Sequence, residues 1–144
     1  MRTVTIAILI LGFAGLACAK DESVDQLKSR AENARPEDRI NICIEIARRQ
    51  LAALDKLYAD DKPDQARAAL DDVANYSEKA RDAAVSIHKH DKNVEIAVRK
   101  ISDKLRDIKR SVTVEEHPPI DAAIKRLEDV RTSLLNDMFP KTKK

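Results

Sequence analysis

Residues 94–112, VEIAVRKISDKLRDIKRSV, set Val94, Val98, Ile101, Leu105, Ile108 and Val112 at steps of four and three. That spacing follows the 3.6-residue turn of an α-helix, so the apolar side chains share one face and the charges take the rest. A strand would need strict alternation, and no window of the chain sustains it long enough. A helix with such a stripe cannot cover it alone and needs partners.

Three further segments carry the same period. After Pro36 come Ile40, Ile44, Ala47, Leu51, Leu54 and Tyr58. After Pro63 come Ala66, Leu70, Val73, Ser77, Ala80, Ala84 and Ile87, and after Pro118-Pro119 come Ile120, Ile124, Leu127, Arg131, Leu134 and Met138, with Val130 continuing the seam beside Arg131. Proline is accepted in the first turn of a helix and breaks its interior. The prolines therefore predict helix starts near 36, 63 and 118 and a stop before Pro140. The expected helices run over about 36–59, 63–89, 92–112 and 118–138. Four stripes joined by short connections predict an all-α fold, an antiparallel four-helix bundle over 36–139. Ile44, Leu51, Leu70, Val73, Val98, Ile101, Leu105, Leu127 and Leu134 are its expected core. A shorter stretch, Ser23 to Ala34 with Val24, Leu27 and Ala31, predicts a lead-in helix within 20–35, and residues 140–144 read as a frayed basic tail.

The second and third of these helices could be one. Ile87, Asp91 and Val94 continue the phase, and neither Gly nor Pro interrupts 88–93. A single helix over 63–112 would be about 75 Å long at roughly 1.5 Å per residue, and would call for a coiled-coil partner. However, Asp91 would be a charge on the seam. Asp91 and Asn93 suit a helix N-cap, and the basic run before them suits a helix C-terminus. A break near residue 91 is the better reading.

The N-terminus has a different character. Met1-Arg2-Thr3 is a short cationic start, Val4–Ala17 is uncharged and apolar, and Ala17-Cys18-Ala19 fits the small-x-small pattern of a signal-peptidase site. This predicts a signal peptide over 1–19 with cleavage before Lys20, and hence a secreted or periplasmic chain. As a helix the apolar run spans about 20 Å, short of the roughly 30 Å of a bilayer core. A retained anchor and a lipidated Cys18 are the rival readings. The second is weakened by Gly15, which stands where a lipobox has Leu. No transmembrane segment is expected after cleavage.

Removing 19 residues from 144 leaves 125, and both glycines, Gly12 and Gly15, go with the leader. A glycine-free domain cannot build a standard phosphate-cradling loop, dinucleotide-binding turn or nucleophile elbow. Composition agrees: 36% charged, 43% hydrophobic, 3% aromatic and a net charge of +2 exclude a disordered tail, a multipass membrane protein and a multidomain enzyme.

Few residues then remain to carry chemistry. His88, Asp91 and Glu95 would share a helix face at three- and four-residue spacing and are acceptable metal ligands, although His90 would point away and no second helix offers a matching set. His117 beside Glu115-Glu116 reads as a polar connector. The acidic pairs Asp60-Asp61, Asp71-Asp72 and Glu115-Glu116 read as solvated surface, since neighbours in a helix do not face each other. Cys43, on or beside the apolar stripe, reads as a small buried hydrophobe. With one cysteine left after cleavage, covalent haem attachment is excluded, and no cofactor is expected. The segment 98–110 concentrates Arg99, Lys100, Lys104, Arg106, Lys109 and Arg110 against Asp103 and Asp107. Such a strip suits an acidic protein partner or an anionic envelope surface. Nucleic acid fits poorly with the compartment and with so few aromatics for base stacking. The sequence thus predicts a non-enzymatic interaction module. The alternative is a metal- or small-ligand-binding bundle that uses the His88–Glu95 region.

Overall fold

The structure, a computed structural model, describes residues 22–141. The expected leader and residues 142–144 of the expected tail lie outside the described residues. The described chain is all-helical: α1 (Val24–Asn33), α2 (Pro36–Ala59), α3 (Pro63–Ile87), α4 (Asp91–Ser111) and α5 (His117–Met138), with one 3-10 turn at Val114–Glu116 before α5.

Local chemistry accounts for the ends of the helices. Ser23 and Gln26 form a reciprocal capping box that starts α1. Proline sits in the first turn of α2, α3 and α5, where its missing N–H costs nothing. With no glycine to end a helix, other groups do that work. Arg39 donates from Nε to the Ala31 carbonyl at 3.0 Å and from Nη2 to that of Ala34 at 2.9 Å, which satisfies orphan carbonyls at the end of α1. The turns use left-handed backbone at Asp61, His88 and His90, with φ of 54°, 50° and 70°. Asp and His are among the non-glycine residues that enter this region most readily. Two such residues within His88–His90 break the helix that phase alone would have continued from α3 into α4.

Polar contacts give the helix directions. Gln50 reaches Asp72 at 2.5 Å, while Arg39 and Ser86 wall one groove, so α2 and α3 are antiparallel. Lys109–Asp121 at 2.7 Å and Arg131–Glu95 at 2.9 Å make α4 and α5 antiparallel. Arg126–Glu78 at 2.7 Å and His88–Asp137 at 3.6 Å set α3 beside α5, running the same way. The chain is therefore two helical hairpins laid together, with α2 and α3 also touching α4, and α1 packed on α2.

All nine expected core residues are buried. Two helices bury more than one stripe. On α2, Ile42, Cys43 and Ile46 are buried beside the predicted series, because α1, α3 and α4 all contact it. On α3, Ala69, Ala74, Tyr76 and Ala83 are added. Small alanine side chains let α3 approach its neighbours closely, while Tyr76 fills the larger gap under α1, flanked by the Lys28 and Lys79 ammonium groups at 5.8 and 4.7 Å from its ring centre. Among the described residues no helix is long and apolar enough to cross a membrane.

Candidate functional site

Three places hold polar side chains in arrangements that the core does not require: the outer face of α4 and the two ends of the helical stack.

On α4 the buried stripe of Val94, Val98, Ile101, Leu105 and Ile108 turns the cations outward. The structure divides the six predicted ones. Lys104 pairs with Asp55 of α2 at 3.3 Å, Lys109 with Asp121 of α5 at 2.7 Å, and Arg110 with Asp107 at 2.8 Å. Arg106 lies 2.9 Å from both Asp103 and Glu128. Arg99 and Lys100 are exposed, and among the described residues no carboxylate lies within ion-pair distance of either. Beneath them a polar seam joins α4 to α5. Glu128 accepts from Ser102 at 2.9 Å, from Arg106 at 2.9 Å and from Arg131 at 3.1 Å. Burial opposes the charge on Glu128, but the hydrogen bonds from Arg106 and Ser102 and the charge of Arg131 outweigh it and hold the carboxyl below its ordinary range.

The α3–α4 end carries the predicted metal-ligand residues, and the structure does not bring them together. Glu95 is taken by Arg131 across the helix interface. His88 turns instead to Asp137, near the end of α5, with Nδ1 3.6 Å from the carboxylate. Asp91 is not the N-cap. It is the first residue of α4, and His90, which makes no side-chain capping bond, takes that position. The Asp91 side chain is therefore turned inward, and its Oδ1 is buried without a hydrogen-bond partner. Burial first, and then the nearby Asp137 carboxylate, raise its pKa. Among the described residues no group of three or more His, Cys, Asp or Glu side chains is placed to hold a metal ion.

The opposite end is built from the α2–α3 turn and the α4–α5 connection. Between them lies a cleft of about 390 Å³ whose lining includes Asp55, Tyr58, Asp61, Lys62, Thr113 and Glu116. Tyr58 Oη and Glu116 Oε2 are both buried and without a hydrogen-bond partner, as is the neighbouring His117 Nε2. Burial and the Glu116 charge raise the Tyr58 pKa against the opposing pull of Arg67, so the phenol stays protonated. The pairs Asp71-Asp72 and Glu115-Glu116 are likewise not wholly solvated surface. Asp72 is half-buried, held by Lys28 and Gln50 at 2.5 Å each, and Glu116 is half-buried beside the cleft. Asp137 and the cleft role of Tyr58 escape a residue-by-residue reading. Asp137 follows Leu134 by three, so it stands on the seam of α5 as Asp91 does on that of α4. Aligning the two seams would have paired them.

Cys43 is fully buried, and burial pushes its thiol up to about 11, so it stays protonated. A protonated buried thiol is a poor nucleophile. Comparisons with protein families, curated proteins and solved structures find no match for this chain.

Proposed function

We propose that this chain is a non-enzymatic helical interaction module, secreted or periplasmic once residues 1–19 are removed. In this reading α2–α5 act as an antiparallel four-helix bundle whose α4 face meets an acidic protein or an anionic envelope surface. The supporting observation is the unequal treatment of the cations on α4. Lys104, Arg106, Lys109 and Arg110 are spent on internal carboxylates, whereas Arg99 and Lys100 stand exposed side by side with none in reach among the described residues. Only charges not already neutralised can attract an anionic partner over a distance. The six-residue strip thus narrows to a two-residue focus, with Arg110, held only within its own helix, at its far end.

The alternative, a metal or small ligand at His88–Glu95, gains no support, because Glu95 is engaged by Arg131 and His88 faces Asp137. Nucleic acid remains a poor partner for a surface that offers two free cations and no exposed aromatic stack.

Co-sedimentation with anionic phospholipid vesicles and with an acidic polysaccharide, at low and physiological salt, tests the reading. Arg99→Glu with Lys100→Glu should abolish binding that salt also weakens. Lys104→Glu with Lys109→Glu should weaken it less. Binding indifferent to salt and to both double changes would reject the α4 surface.

A further inference from the structure

The cleft at the α2–α3 turn is a second feature, independent of the α4 face. We propose that it is a binding site for a small organic cation, an aliphatic amine or diamine, whose ammonium group is held between Glu116 and Tyr58.

The argument begins with what the two orphan atoms need. Glu116 Oε2 is an acceptor only, and no donor reaches it. Tyr58 Oη can accept as well as donate, and it too has no partner. Leaving such buried groups unpaired is costly, roughly 1–3 kcal/mol each and more for a charged one. Their mutual influence on the Tyr58 pKa shows that they are neighbours, yet they do not bond each other. A single group with several donors and no acceptor, seated between them, satisfies both. A primary ammonium has that inventory, with three N–H donors. A ligand carboxylate or phosphate does not, and it would meet Glu116, Asp55 and Asp61 with only Lys62 in its favour.

The remaining walls fit the same class. Asp61 sits in the left-handed turn at the rim, and Asp55, although paired with Lys104 at 3.3 Å, is more than half exposed. They place negative charge at the mouth, where the second ammonium of a short diamine would lie. Ala59, Pro63 and Val112 supply apolar surface for the methylene chain. A volume of about 390 Å³ lies at the small end of ligand-sized pockets, which run from roughly 300 to 1,000 Å³. The cation-binding cleft and the cationic α4 face are different surfaces and can be tested separately.

Isothermal titration of the protein, as its expressing cell processes it, with 1,4-diaminobutane and with its neutral counterpart 1,4-butanediol distinguishes an amine site from a cleft that holds only solvent. The diamine should bind one-to-one and saturably at physiological salt, and the diol should not bind. Glu116→Gln, which keeps the shape and removes the charge, should weaken the diamine at least tenfold. Tyr58→Phe should weaken it severalfold, with the melting temperature of each variant recorded to confirm folding. Asp129→Asn, on the exposed side of α5, should bind like the parent. Absence of diamine binding, equal binding of the diol, or undiminished binding by folded Glu116→Gln would each overturn the proposal.

Discussion

The two ends of this helical stack face the same problem and meet it differently. Each buries a carboxylate oxygen with no hydrogen-bond partner, Asp91 Oδ1 at the α3–α4 end and Glu116 Oε2 at the α2–α3 end. At the first end the neighbour is another acid, Asp137, with His88 beside it, and the two seams close over the pair. At the second end the neighbour is a neutral phenol, and a cleft stays open over it. Burial against a like charge makes a joint that responds to protons. Burial against a hydroxyl under an opening makes a place that can accept a donor from outside. The same residue type thus takes on two characters, according to what packs against it and whether solvent-sized space remains.

The contrast assumes that one core supports both ends. Leu105 is fully buried at the centre of α4, so Leu105→Ala should cost about 2–5 kcal/mol, as core truncations do. Fluorescence of Tyr58 and Tyr76 and far-ultraviolet circular dichroism should then fall in one shared transition. Separate transitions would mean that the hairpins unfold independently.

The next largest effect is expected at the polar seam between the hairpin partners α4 and α5. Arg131 is mostly buried and donates to Glu95 and Glu128. Arg131→Met keeps much of the packing but leaves Glu95, itself 13% exposed, without its partner, at a cost of about 1–3 kcal/mol in chemical denaturation. A neutral result would show that Glu95 turns to solvent.

The acid joint gives a signed pH test. The folded-state pKa of Asp91 is raised, so the native chain holds its proton more tightly than the unfolded chain does. Its contribution to stability is therefore greatest in acid and declines as pH rises from the ordinary carboxylate range through the raised value. Asp91→Asn should remove that decline and melt higher than the parent at neutral pH. Glu128, whose pKa is lowered, works in the opposite sense, with stability present at neutral pH and lost as pH falls through its folded value. A parent-minus-variant difference for Asp91→Asn that does not change with pH would mean that Asp91 and Asp137 do not share a site.

Much of the architecture was legible because burial on one face leaves a period in sequence. The stripe 94–112 implied its partners, and the prolines marked where α2, α3 and α5 begin. The break at His88–His90 was legible from charge and capping tendencies, although the left-handed backbone that makes it was not, since histidine seldom takes that role. The second buried faces of α2 and α3 were hidden because alanine, Cys43 and Ile42 read as flank when the number of neighbours is unknown. The sites were less legible for a related reason. Asp91, Asp137, Tyr58 and Glu116 become informative only when helices far apart in sequence bring them together. The cationic strip was visible as composition, but its internal neutralisation depended on Asp55 and Asp121 from two other helices.

That neutralisation leads to the smallest effect. If exposed ion pairs on α4 are only partner-neutral charge, Lys104→Glu with Lys109→Glu should lower stability slightly. Each change replaces attraction to Asp55 or Asp121 with repulsion, and exposed pairs contribute roughly 0–1 kcal/mol apiece. Both lysines are a third or more exposed, so solvent and salt screen the interaction. Arg99→Glu with Lys100→Glu breaks no pair and should leave the melting temperature within the error of measurement. The difference between the two double variants should shrink as salt rises. If the Arg99–Lys100 variant is instead the less stable one at low salt, those cations are held by a carboxylate after all, and the focus proposed for an anionic partner moves elsewhere on the molecule.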